Sequence, residues 1–271
     1  MESRHYLLPL LLGMLVIQGG CASAPATYPE TIPDPLESTN RKIHGFNRGL
    51  DRAILRPVAR GYGKLPNPVV RGVGNFFDNL RQLRTLVNDV LQGKPQRAGN
   101  SLRRVVLNTT VGLAGFLDPA TAAGIPKHTE GFAQTLAAWG VPSGSYFVIP
   151  FLGPATVRDA SGRILDFFTH PFILYDADNF FVDNLWALDY IDIRYRFLAA
   201  DRAIAESLDP YVFLREAYIQ RMRYEIYDGN PPLRDFDEEL EGEEDWGDEE
   251  DWEDDDDWEV EEGSEPDERK R

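Results

Sequence analysis

Asx-Pro pairs punctuate this chain, among them Asp34-Pro35, Asn67-Pro68 and Asp209-Pro210. Aspartate or asparagine can cap a helix, and proline fits its first turn because no amide hydrogen is needed there. Glu37 lies three residues beyond Asp34 and can complete a capping box. After Asn67-Pro68 come Val69, Val73, Phe76, Phe77 and Leu80, spaced as one helical face. Leu83, Leu86, Val87, Val90 and Leu91 form a second stripe, stopped by Gly93-Lys94-Pro95. Leu102, Val105, Val106 and Thr109 continue helically to Gly112. After Asp209-Pro210, Val212, Phe213, Ala217 and Met222 extend a last helix to Gly229.

Other signals agree. Thr129 can cap a helix carrying Phe132, Leu136 and Trp139, and Thr156-Val157-Arg158-Asp159 reads as a further capping box. Residues 180–207 lack proline and glycine, which predicts one long helix. Only residues 145–152 have strand character, and Pro150 interrupts them. The expected fold class is all-α.

Charge separates the chain into parts. Residues 235–268 hold 23 acids and no base, and with the three terminal bases the segment carries −20. Residues 1–234 keep 22 acids and 25 bases, a net of +3. Such a like-charge block cannot collapse and reads as a disordered tail, residues 231–271. It carries Trp246, Trp252 and Trp258 at a spacing of six. It suits a flexible arm for a basic partner or for weakly held divalent cations, or a solvated extension that only adds reach. Within the body, residues 34–104 hold 14 bases and 5 acids, whereas 105–234 hold 10 bases and 15 acids. Amphipathic, arginine-rich helices suit contact with anionic lipid. They equally suit an ordinary core with solvated arginines, since both stripes look alike in sequence. The connections Gly112-Leu113-Ala114-Gly115-Phe116-Leu117 and Tyr146-Phe147-Val148-Ile149-Pro150-Phe151-Leu152 are unusually apolar for loops.

At the N-terminus, Arg4 and His5 precede an apolar run from Leu7 to Ile17, then Gln18-Gly19-Gly20-Cys21. A charged start, a short apolar core and small residues before a cut describe an export signal, residues 1–20. A cysteine at that junction resembles the bacterial lipoprotein signal, with Cys21 acylated and residues 21–33 forming a tether. Gln18 departs from the aliphatic residue usual at that position. Ala22 in place of aspartate implies sorting to the cell outer membrane, on its periplasmic side. An ordinary signal peptide with Cys21 near the cut is the alternative. As the chain's one cysteine, Cys21 leaves no disulfide framework and no cysteine-based zinc site.

No catalytic pattern assembles. His44, His128 and His170 are far apart in sequence, and no His-Glu-x-x-His helix occurs. Ser143 in Gly140-Val141-Pro142-Ser143-Gly144 misses the nucleophile-elbow pattern by one position. Gly72-Val73-Gly74 lacks the third glycine of a dinucleotide loop. The expectation is no enzyme, no cofactor, no metal site and no nucleic-acid partner.

Many ordered segments resemble the VacJ/MlaA family of outer-membrane lipoproteins. They include Asp34-Pro35-Leu36-Glu37-Ser38-Thr39-Asn40-Arg41 with Phe46-Asn47, Arg56-Pro57-Val58-Ala59, and Asn88-Asp89-Val90-Leu91-Gln92-Gly93. Leu107-Asn108-Thr109-Thr110-Val111-Gly112 with Phe116-Leu117-Asp118 follows, then Gly131-Phe132-Ala133-Gln134-Thr135-Leu136. Pro150-Phe151-Leu152-Gly153-Pro154 and Asp209-Pro210-Tyr211 with Arg215-Glu216-Ala217-Tyr218 complete the pattern. The resemblance spans the helical domain, residues 34–230.

It implies a ring-like assembly of amphipathic, largely interfacial helices around an amphipathic channel. The channel would pass mislocalised phospholipids from the outer leaflet to a soluble periplasmic phospholipid carrier, preserving lipid asymmetry. A trimeric porin is the further partner implied. On that basis the lipid path would use Asn40, Phe46, Asn47, Gly112, Gly115, Phe116, Phe132, Phe151, Leu152 and Gly153. Asparagine would meet head groups, phenylalanine acyl chains, and glycine would allow close approach; helix packing and turn geometry are the plainer roles for the same residues. Two other functions stay open: an envelope lipoprotein that scaffolds porins, and a membrane-tethered lipid hydrolase.

Overall fold

The computed structural model describes residues 32–170 and 180–232. The expected signal peptide, Cys21, most of the tether and the acidic tail from residue 233 onward lie outside them. Helix α1 (Glu37–Leu50) passes through a π turn (Asp51–Leu55) into α2 (Arg56–Tyr62). Pro57 has no amide hydrogen to offer the carbonyl of Ala53, so the regular ladder is interrupted where the wider turn lies. Next come α3 (Asn67–Leu91) and α4 (Pro95–Thr110), which pack along each other, then the short α5 (Pro119–Ala122) and α6 (Phe132–Ala138). Strands β1 (Tyr146–Ile149) and β2 (Gly153–Thr156) lead into α7 (Val157–Phe168). Helix α8 (Phe180–Arg196), a 3-10 turn (Phe197–Ala200), α9 (Asp201–Glu206) and α10 (Pro210–Ile226) close the body. Among the described residues the fold is all-α apart from this one hairpin.

The helix starts divide by mechanism. Asp209 caps α10, accepting from the amides of Tyr211 at 2.9 Å and Val212 at 3.3 Å. Thr156 caps α7 through the Asp159 amide, and Asp118 caps α5 through that of Thr121. Asp34 does not cap α1. The helix begins at Glu37, and the Asp34 carboxylate accepts from Asn40 Nδ2 at 2.7 Å and from the Tyr211 hydroxyl. Asn67 stands inside the first turn of α3 and gives no cap. Nor does Thr129 cap α6; Gln134 reaches back to the amide of Gly131 at 3.0 Å. Pro and Gly thus mark the right places, while the capping side chain depends on what else competes for it.

Two further expectations are corrected. The strand segment is half of an antiparallel hairpin, with Tyr146 opposite Thr156 and Ile149 opposite Gly153. Pro150 sits in the turn, where its missing donor costs no ladder bond. Residues 180–207 are not one helix, because the backbone tightens to 3-10 geometry at Phe197.

A conventional apolar core exists but is small. Ile32, Ala133, Tyr146, Val148, Tyr211, Ile219 and Met222 pack together where the hairpin, α6 and α10 meet, with Ile43 of α1 against them. Among the described residues no helix is long and apolar enough to cross a membrane.

Candidate functional site

From Asn79 onward along α3, and on α4 and α7, large apolar side chains stand exposed while polar ones are buried. Of α3, the buried positions include Asn79, Gln82, Thr85, Asn88 and Asp89, whereas Val69, Leu83, Val87, Val90 and Leu91 are exposed. On α4, Ser101, Arg104 and Asn108 are buried, while Leu102 and Val106 are exposed. On α7, Arg158 and Asp159 are buried, while Val157, Ile164, Phe167 and Phe168 are exposed. Val90 is 63 % exposed and Asn88, two residues earlier, 0 %. Among the described residues, buried polar side chains number 18 and buried hydrophobic ones 15. Water-facing helices show the opposite arrangement.

Most of the buried groups are tolerated because they hydrogen-bond one another. The Thr135 hydroxyl donates to Asn88 Oδ1 at 2.6 Å, and Gln92 Nε2 donates to Glu130 and to Thr135, each at 3.0 Å. Gln82 Nε2 donates to Ser101 at 2.9 Å, and Ser101 donates to Asp89 at 2.7 Å. Further along the seam Arg104 holds Asp118 at 2.9 and 3.0 Å, and Asn108 Nδ2 donates to the same carboxylate at 3.0 Å. Burial raises the Glu130 carboxyl despite Gln92, Lys94 and Arg97 beside it. Burial also pushes Asp78 upward, but hydrogen bonds from Lys127 and Arg81 prevail and bring it down to about 2. Asn75, Asp78, Asn79, Gln82, Arg104, Asn108, Asp118 and Lys127 line a small open polar cleft between these elements.

The seam contains a serine, a histidine and a carboxylate without the geometry of a nucleophile. His128 Nε2 lies 2.8 Å from Asp89 Oδ2, and the same nitrogen is 3.4 Å from Ser101 Oγ. The serine proton is directed to Asp89, and Ser101 is fully buried. His44 lies beside Tyr211 and His170 beside Trp186, so the three histidines have separate surroundings. Among the described residues no three metal-binding side chains gather into a possible metal site.

The expected path residues fall into two loop clusters and two outliers. Phe46 meets Phe151 edge to face at 5.4 Å. Asn47 grips the hairpin turn, donating to the carbonyl of Ile149 at 3.0 Å and accepting from the amide of Phe151 at 2.8 Å. Phe151 has φ 67° and Gly153 φ 82°, and the Phe151 and Leu152 side chains stand exposed. Tyr190 of α8 donates to the Phe151 carbonyl at 2.6 Å. The second cluster is the turn after α4. A Cβ on Gly112 would lie 2.6 Å from the carbonyl oxygen of Leu117, and one on Gly115 would lie 2.7 Å from Asn79 Cβ. Phe116 stacks on Phe76 at 5.3 Å, its carbonyl accepts from Asn75, and Leu113 and Leu117 project outward. Asn40, 1 % exposed, is an outlier: it accepts from the Val148 amide at 2.9 Å and pins β1 to α1. Phe132 is half-buried at the start of α6, where its amide donates to Asp166.

Sequence reasoning missed the polar seam itself. Its signal was present, since Asn79, Gln82, Thr85, Asn88, Asp89 and Gln92 recur at helical spacing opposite the apolar stripe.

Comparison with known proteins agrees with this architecture. A family model described as MlaA lipoprotein matches residues 32–225. The intermembrane phospholipid transport system lipoprotein MlaA of Escherichia coli strain K12 is 39% identical over 220 residues, covering 78% of this chain and 85% of that protein. The protein of the same name from Haemophilus influenzae is 32% identical over 206 residues, covering 72% of this chain and 80% of its own. A solved structure described as "Structural basis for maintenance of bacterial outer membrane lipid asymmetry" superposes with a TM-score of 0.63 at 34% identity, over 73% of this chain and 100% of that one. With the match running through nearly the whole helical body, the chain belongs to the MlaA lipoprotein family.

Proposed function

We propose that this protein is the outer-membrane lipoprotein of an intermembrane phospholipid transport system. It takes phospholipids that have strayed into the outer leaflet and passes them through an amphipathic channel to a soluble periplasmic carrier, keeping the membrane asymmetric. Cys21 is the acylated anchor on the periplasmic side, and a trimeric porin is the neighbour in the membrane. The helices form a ring lying in one leaflet, and no step is catalytic.

One observation carries this reading: on α3, α4 and α7 apolar side chains stand exposed while polar ones are buried. Burying a half-exposed valine or leucine in acyl chains is worth about 1 kcal/mol, so such a belt favours a bilayer over water. Exposed apolar surface in quantity marks a membrane or partner site. A polar interior suits a head group, and the exposed Phe46, Phe116, Phe151 and Leu152 suit acyl chains. In this structure Asn40 and Asn47 serve as hairpin pins, and Gly112, Gly115 and Gly153 shape the two apolar turns. The names of the relatives supply the same substrate class.

Deleting the gene tests the proposal. Phospholipid should accumulate in the outer leaflet, with sensitivity to detergent and bile salts, and the wild-type gene should reverse both. Envelope defects with asymmetry intact would favour a scaffold. Release of lysolipid by purified protein, abolished in a His44, His128 and His170 triple variant, would favour a hydrolase.

A further inference from the structure

Cations are neutralised unevenly over the described residues. Exposed arginines late in the chain hold carboxylates, as Arg202 holds Glu206 at 2.7 Å and Arg221 holds Glu225 at 2.8 Å. Lys42, Arg52, Arg60, Lys64 and Arg71 are also exposed, yet none has an ion pair or a side-chain hydrogen bond. They follow one another along α1, the π turn, α2 and the start of α3. Residues 42–71 contain a single acid, Asp51, and Arg194 already clasps it at 2.5 and 2.9 Å. The same run exposes Phe46, Ile54, Val58, Leu65 and Val69 between the cations. Unpaired like charges repel, and among the described residues no carboxylate pairs with them.

We propose that this strip docks on anionic phospholipid head groups, with the lysines and arginines at phosphates and the interleaved apolar side chains at the upper acyl carbons. The charge calls for an anionic partner, and the alternation calls for one with hydrocarbon directly beneath the charge. An acidic protein face matches only the first. This inference rests on the membrane-embedded reading above and adds a lipid preference to it. Anionic lipid would be concentrated beside α1 and α2, and the body would be held at a fixed depth.

Flotation of the full chain carrying Cys21→Ala, so that acyl anchoring does not decide the result, tests it. The vesicles contain phosphatidylethanolamine and phosphatidylcholine, with or without phosphatidylglycerol. Phosphatidylglycerol should tighten binding by at least about tenfold, since each cation near an anionic surface is worth about a fivefold gain. The gain should shrink as added salt shortens the screening length. The variant R52Q/R60Q/K64Q/R71Q should lose the gain while binding neutral vesicles as before, and R202Q/R221Q should keep it. If the quadruple variant melts early, R52Q/R60Q alone should reduce the gain in the same direction. Equal binding to both vesicle types, or an undiminished preference in the quadruple variant and in R52Q/R60Q, overturns the inference and leaves the conduit reading intact. Binding to polyglutamate with indifference to phosphatidylglycerol overturns it in favour of an acidic protein. Failure to bind any vesicle sinks both readings together.

Discussion

Gly112 and Gly153 illustrate two reasons for the same residue. A methyl group on Gly112 would press on backbone oxygen that cannot move independently, whereas one on Gly153 meets nothing and suffers only from its φ of 82°. Gly112→Ala should therefore cost about 3 kcal/mol, as overpacking against fixed backbone does. Gly153→Ala should cost about 1 kcal/mol, the penalty for a side chain in the left-handed region. Denaturant midpoints measure both, and the reverse order would contradict the geometry. Asp78 gives a pH test. Its carboxyl lies at about 2, below its ordinary 3.8, because bonds from Lys127 and Arg81 outweigh its burial. A depressed carboxylate contributes stability that is complete above pH 4 and lost as pH falls through about 2. That contribution is about 2 kcal/mol. Asp78→Asn should lower the melting temperature near neutral pH and converge with the wild type in strong acid.

At the scale of the helix, sequence and structure part company in an informative way. Proline and glycine marked most element boundaries correctly because they act through local backbone geometry. Asp209 and Thr156 cap as expected, while Asp34 is drawn away by Asn40, six residues on, and by Tyr211 of α10. The apolar stripe on α3 was legible as a stripe. Which way it faces was not, because the period of hydrophobicity is identical for a core and for a lipid belt. The structure supplies direction: Phe77 is 2 % exposed, whereas Val87 and Val90 are outside. Phe77→Ala should thus cost about 3–5 kcal/mol in stability. Val87→Ser with Val90→Ser should leave thermal unfolding in detergent within a few degrees of the wild type and weaken retention on vesicles. A large stability loss from the valine pair would mean that they serve an internal core. The loop clusters were partly legible: Phe46, Asn47 and Phe151 come together at the hairpin turn, while Asn40 pins the hairpin to α1.

For the whole molecule, the small core at the hairpin and α10 organises one end, and the polar seam takes the place of a core between α3 and α4. A seam of satisfied polar groups gives less favourable transfer energy than apolar packing, so such a body relies on its surroundings for part of its stability. Everything proposed about lipid passage depends on what surrounds the outward side chains. A spin label on Val90→Cys, in the full-length protein reconstituted into phospholipid vesicles, measures this directly. The account predicts strong relaxation by oxygen, which partitions into acyl chains, and little by a water-soluble nickel complex. A label that the nickel complex reaches as readily as one on Arg202→Cys would contradict it.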